Sequence, residues 1–344
     1  MRAALICLAA CGHPSTAATD GSGPSDATAA APFATPPGQW TFVDVPGMAC
    51  GNGTPTGIGV NLSTTSSDVL VYFEGGGACW DAASCFTIKS AIHIQDTYDA
   101  ALFASEITAF PFDRNDPTLA NATFIWVPYC TGDLHAGNHV QTYMQLGQTA
   151  MVHHVGAANT QLVIDRVHAA LPDAAHVWVS GSSAGGYGAT FALNHFADAW
   201  PSAEIPLLQD SAPFVSLVAN YGLWQSSWSL QFPPGCTGCD ADFTKIMTAV
   251  VAATPSSRIG LLTYDNDGTI KLFFGYGAGD TLVPATNNLL ATHYTDPLHQ
   301  AFVLAGASHT MLGQLKTITG AGGVKLSDWV HAWASGDAAW TTVH

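Results

Sequence analysis

Residues 176–200 read HVWVSGSSAGGYGATFALNHFADAW. His176–Ser180 is a short apolar run bounded by turn residues, the signature of a strand buried on both faces. From Gly186 to Trp200 the period changes. Tyr187, Phe191, Phe196 and Trp200 recur on one side of a helix, and Pro201 ends the pattern. Gly181-Ser182-Ser183-Ala184-Gly185 joins the two. A strand that runs into a helix through G-x-S-x-G predicts a nucleophile elbow. Such a turn needs small residues two positions before and after the serine. Gly181 and Gly185 satisfy this for Ser183. Around Ser182 the same positions are Ser180 and Ala184, a poorer fit.

Five more apolar runs read as buried strands: Val69–Phe73, Thr123–Val127, Ile205–Leu208, Arg258–Thr263 and Ala301–Leu304. Helical patterns fall at Thr160–Leu171 and at Asp240–Ala253, the latter with Asp240 as N-cap and Pro255 as stop. Strands alternating with helices predict an α/β protein: an α/β-hydrolase-type three-layer sandwich with a mostly parallel central sheet.

The 344 residues are 48% hydrophobic and 10% charged, enough for a large core. The net charge is −16 and no basic run occurs, which excludes nucleic acid as a partner. No nucleotide, flavin or metal motif stands out, so no cofactor is expected. The start, MRAALICLAACGHPS, resembles an export signal, and Leu8-Ala9-Ala10-Cys11 resembles a bacterial lipobox. The expected organisation is a signal over 1–11, an Ala/Ser/Thr/Pro-rich disordered tether over 12–37, and one catalytic domain over 38–344. The expected location is outside a bacterial cell, either secreted or anchored to the membrane by a lipid on Cys11. Six cysteines follow Cys11, an even number that suggests three disulfides. Near neighbours Cys79–Cys85 and Cys236–Cys239 leave Cys50 with Cys130, although spacing alone does not fix the pairing.

A nucleophilic serine needs a base, and the base needs a carboxylate. His309 lies in a small-residue loop after the strand Ala301–Leu304. His195 and His331 fall in helical patterns, and His293 and His299 flank the wrong end of a strand. Asp265 follows the strand Arg258–Thr263 and is the favoured acid; Asp280 and Asp210 are rivals, and Asp267 is close enough to exchange with Asp265. Oxyanion donors are expected from the N–H of Ala184 and from Glu74-Gly75-Gly76-Gly77-Ala78, which looks like an esterase HGGG loop with Glu in place of His.

Several blocks together resemble the pectin acetylesterase family, which includes plant pectin acetylesterases and Notum-like carboxylesterases. They are Tyr72-Phe73-Glu74-Gly75-Gly76-Gly77-Ala78-Cys79, Val127-Pro128-Tyr129-Cys130-Thr131-Gly132-Asp133, Gly181 to Gly186, Thr263-Tyr264-Asp265 and Ala307-Ser308-His309. The resemblance implies carboxylic-ester hydrolysis with Ser183 as nucleophile, Asp265 as acid and His309 as base. It also implies an oxyanion hole from Gly76, Gly77 and Ala184. Two departures bear on the pocket: Trp80 follows Cys79 where the family often has Trp earlier, and the stretch around Asp280 is unlike the family. Trp80, Tyr129, His135 and Phe214 are the candidate pocket residues. The expected substrate is an acetylated carbohydrate or a small ester. A polyanion would be repelled, so a neutral or heavily esterified polymer is favoured. A longer acyl chain would need a deep apolar pocket. The non-enzymatic alternative is a surface binding protein on the same fold.

Overall fold

Residues 32–344, except 146, 218 and 219, are described by a computed structural model. The strands are β1 (Trp40–Ala49), β2 (Pro55–Asn61), β3 (Val69–Phe73), β4 (Thr123–Val127), β5 (His139–Gln145), β6 (Gln148–His154), β7 (Val177–Ser182), β8 (Leu207–Asp210), β9 (Ile259–Tyr264) and β10 (His299–Leu304). The α-helices are α1 (Ala100–Glu106), α2 (Gly156–Ala170), α3 (Ala184–Ala199), α4 (Tyr221–Trp228), α5 (Thr244–Ala253), α6 (Gly268–Phe274), α7 (Val283–His293) and α8 (Leu326–Ser335).

Every residue of β3 and of β4 is buried, and the alternation of side chains explains why. Val69, Val71 and Phe73 join a core cluster that includes residues of α2, α3, α5 and α7. Leu70 and Tyr72 join a second cluster on the opposite face, with Trp329, Val330 and Trp333 of α8. The sheet is the middle layer of three. Its order is β1-β2-β4-β3-β7-β8-β9-β10. The six strands from β4 to β10 pair in parallel, and β2 and β1 extend one edge antiparallel. After β3 the chain steps outward to β4, then crosses back to lay β7 on β3's other side. That reversal between β3 and β7 is where open α/β sheets place ligands, at the carboxyl ends of the strands.

All six sequence-predicted strands are present, and the mostly parallel α/β sandwich is as expected. α5 begins at Thr244 rather than Asp240; its N-cap is Phe243, and Asp242 Oδ1 just before it accepts from Thr244 N at 2.9 Å. The proposed signal, Cys11 and residues 12–31 of the proposed tether lie outside the described residues. Phe33 is buried in the core, with the Arg166 guanidinium 4.2 Å above its ring, so packing starts before Gln39. Disulfides join Cys50–Cys130, Cys79–Cys85 and Cys236–Cys239. Among the described residues no helix is long and apolar enough to cross a membrane.

Candidate active site

Ser183 sits between β7 and α3 with φ 55° and ψ −122°. A side-chain-bearing residue at positive φ is strained and survives only where its surroundings enforce it. Here they do. A Cβ at Gly181 would lie 2.3 Å from Gly185 O, and one at Gly185 would lie 2.0 Å from Phe73 O. Only glycine lets the turn close this tightly against β3. Ser182, the rival serine, points elsewhere: its hydroxyl donates to Asp210 Oδ2 at 2.7 Å.

The loop after β3 lies directly against this turn. A Cβ at Gly75 would be 2.3 Å from Ser182 O and 3.1 Å from Ser183 Cβ. Gly76 and Gly77 have φ values of 149° and 78°. Among the described residues, no protein group accepts from the N–H of Gly76, Gly77 or Ala184. These are the three donors expected for an oxyanion. The loop is held from behind by Tyr129, whose hydroxyl donates to Gly77 O at 2.9 Å, and by His135, whose Nε2 donates to Glu74 O at 2.9 Å. Burial lowers the His135 pKa to about 4, which keeps the ring neutral.

His309 follows β10, and its Nδ1 lies 2.7 Å from Asp267 Oδ2. Asp267 is fully buried, and its Oδ1 accepts from Thr269 N and Ile270 N, so one carboxylate caps α6 and orients the imidazole. Asp265, the favoured acid, is not the partner. Its Oδ1 accepts from Gly306 N at 2.9 Å, because the chain turns for two more residues before a carboxylate reaches the ring. Asp280 is exposed and accepts from Gly277 N at 2.6 Å within its own turn. Asp210 is buried and structural. It accepts from Ser182, from Met311 N at 2.7 Å and from Leu312 N at 3.1 Å. One carboxylate therefore straps the residue before Ser183 to the loop just after His309. Burial raises its pKa, and the three hydrogen bonds oppose the rise.

Beside Ser183 is a cavity of about 20 Å³, walled by Gly77, Leu134, Tyr187, Trp224, Ile270 and Phe273 among others. The space is small and its walls are mostly apolar. None of the four sequence-predicted pocket residues lines it. Trp80 stands one layer back, 5.8 Å from the Trp224 ring and 6.3 Å from the Phe273 ring. Phe214 is buried behind Tyr187, with ring centroids 5.1 Å apart. Tyr129 supports the glycine loop, and His135 faces a different cavity. The residues missed come from α3, α4, α6 and the loop around Leu134. The I-x-x-F-F spacing of Ile270, Phe273 and Phe274 was the available signal, on a helix too short to stand out.

Among the described residues two clusters have metal-ligand residue types. Cys79, Cys85 and His154 meet, but the cysteines are bonded to each other and offer no thiolate. Glu74, His93 and Glu106 also meet, with His93 Nε2 2.7 Å from Glu106 Oε1. Burial first, and then the charge of Glu106, push the Glu74 pKa well above the ordinary carboxyl range. Its Oε2 also accepts from Tyr129 N at 2.8 Å. A folded-state pKa raised this way costs stability as pH climbs through the ordinary carboxyl range, because the unfolded chain then releases a proton that the fold retains. Glu74→Gln mimics the neutral acid. From mildly acidic to neutral pH the wild type should lose melting temperature relative to the variant, other groups contributing equally to both. Parallel curves for the two proteins would show that Glu74 is already ionised.

The parallel sheet and the serine at the strained β7–α3 turn define an α/β-hydrolase-type protein. The chain belongs to the pectinacetylesterase family, whose model matches residues 37–227. It is 28% identical over 177 residues to palmitoleoyl-protein carboxylesterase notum1 of Xenopus laevis, covering 49% of this chain and 35% of that protein. It is 24% identical over 178 residues to human palmitoleoyl-protein carboxylesterase NOTUM, covering 49% and 34%. With notum1a of Danio rerio it shares 24% identity over 155 residues, 43% of this chain and 29% of the relative. The chain thus spans about a third of the length of these curated relatives. Family and relatives together support carboxylic-ester hydrolysis. The family match holds the glycine loop and Ser183 but ends before Asp267 and His309, which rest on geometry.

Proposed function

We propose that this protein is an extracellular serine carboxylic-ester hydrolase that removes acetyl groups from a neutral or heavily esterified carbohydrate or a related ester. Ser183 is the nucleophile, His309 the base and Asp267 the orienting acid. The observation that carries the reading is the His309–Asp267 pair, strapped through Asp210 to the elbow that bears Ser183.

With Nδ1 engaged by Asp267, Nε2 is the nitrogen that takes the Ser183 proton as Oγ attacks the ester carbonyl. The N–H groups of Gly76, Gly77 and Ala184 receive the oxyanion, each donor contributing about 10²–10³ in rate. His309 returns the proton to the departing alcohol oxygen. Water then repeats the sequence on the acyl-enzyme and releases the acid. Three disulfides fit an oxidising compartment.

The narrow cavity supports acetyl over a long chain, although the relatives' names specify palmitoleoyl. The check is kcat/KM on p-nitrophenyl acetate, octanoate and palmitate. The acetate should lead, and a faster palmitate would sink the acetyl assignment while leaving the serine mechanism standing. Labelling by a fluorophosphonate separates the enzyme from a non-catalytic binding protein, which would stay unlabelled.

A further inference from the structure

We propose that Ser211 is a positioning residue for proton transfer, which together with Asp210 sets the distance between Ser183 and His309. The inference rests on the reading of those two residues as nucleophile and base.

The sheet order poses the problem. β7 leads into Ser183 and β10 precedes His309, with β8 and β9 between them. Neighbouring strands lie about 4.8 Å apart, so the ends of β7 and β10 are separated by about 14 Å. Proton transfer needs hydrogen-bond reach, about 3 Å. The loop after β10 must therefore fold back over β9 and β8. Asp267, after β9, orients the imidazole but holds only the ring. The backbone of the loop is held from the end of β8. Thr310 N donates to Ser211 Oγ at 2.8 Å, Met311 N to Asp210 Oδ1 at 2.7 Å and Leu312 N to Asp210 Oδ2 at 3.1 Å. The same dipeptide holds the elbow on its other side. Asp210 O accepts from Ser183 N at 2.7 Å, and Asp210 Oδ2 accepts from the Ser182 hydroxyl at 2.7 Å. Two residues thus join the backbone of the nucleophile to that of the base.

The backbone angles show that the turn after His309 needs this hold. Thr310 has φ 57°. A β-branched residue at positive φ is an outlier that persists only where its surroundings enforce it. Ser211 itself has φ 54° and is fully buried, and its N–H donates to Leu262 O of β9 at 2.8 Å. Of the three bonds to the turn, the one from Ser211 is made to Thr310, the strained residue next to His309. Asp210 takes the other two and the Ser182 hydroxyl as well, so its loss would endanger the fold. Ser211 is the residue whose removal isolates the effect on position.

The test compares two substitutions in the whole protein. Ser211→Ala removes the hydroxyl and keeps the strain of positive φ. Ser211→Gly removes the hydroxyl and relieves the strain, so it should melt at a higher temperature than Ser211→Ala. Both should lower kcat on p-nitrophenyl acetate by about 10–100-fold, because a misplacement of about 1 Å can cost 10² in rate. Acylation and deacylation both use His309, so both steps slow and KM should stay close to that of the wild type. NMR of the His309 ring should still show Nδ1–H, since Asp267 is untouched. The proposal is overturned by a wild-type kcat in either variant, by a change of tautomer, or by losses of rate that follow the two melting temperatures, as a merely structural role requires. Turnover that survives Ser183→Ala would instead sink the nucleophile reading, whatever the Ser211 variants do.

Discussion

Ser183→Ala lowers kcat on p-nitrophenyl acetate by about 10⁴–10⁶-fold, the range expected when a serine nucleophile is removed. Its melting temperature stays close to that of the wild type. The rate is lost because the acyl-enzyme route closes. The fold survives because the hydroxyl carries no hydrogen bond among the described residues, while the elbow is enforced by backbone contacts around Gly181 and Gly185. Ser182→Ala should show the opposite split. Its hydroxyl is one of three donors to the buried Asp210 carboxylate, and removing a donor from a buried charge costs about 1–3 kcal/mol. Turnover should persist with a lower melting temperature, and with some loss of rate if the strap to the His309 loop slackens. Measuring kcat and thermal midpoint for both variants decides the matter. Full activity in Ser183→Ala together with inactivity in Ser182→Ala would exchange the two roles.

What the sequence made legible follows from burial. β3, β4, β7, β8, β9 and β10 are buried on both faces, so each appears as a continuous apolar run. β1 is mostly intermediate or exposed and carries Asp44, Pro46 and Gly47, so no such run marks it. β2 is buried, but its glycines hide it. A Cβ at Gly57 would be 2.0 Å from Val43 O and one at Gly59 2.2 Å from the Phe103 ring, so close packing replaced the side chains that signal a strand. The elbow and the glycine loop were readable because each is contiguous and its chemistry demands glycine. The cavity wall was not, because α4 and α6 bring Trp224 and Phe273 from distant parts of the chain. The acid lay between these extremes. Tyr264-Asp265-Asn266-Asp267-Gly268-Thr269 holds two carboxylates two residues apart, and only the path of the turn decides which meets His309. The usable local signal was that Asp267, followed by Gly268, Thr269 and Ile270, reads as a helix N-cap.

That difference predicts a sharp contrast between two conservative substitutions. Asp267→Asn should lower kcat by about 10⁴-fold with the protein still folded. In the variant, the amide oxygen can keep the cap bonds to Thr269 N and Ile270 N. The amide nitrogen then faces His309 Nδ1, which must accept rather than donate. The proton moves to Nε2, and a ring protonated there cannot take one from Ser183. Asp265→Asn has no such consequence. Its oxygen can still accept from Gly306 N, and the imidazole is paired with Asp267 instead, so turnover should stay near the wild-type rate. NMR of the His309 ring nitrogens reports the tautomer directly: Nδ1–H in the wild type and in Asp265→Asn, Nε2–H in Asp267→Asn. A loss in Asp265→Asn equal to that in Asp267→Asn would mean that the turn rearranges when substrate binds and that the acid is Asp265 after all.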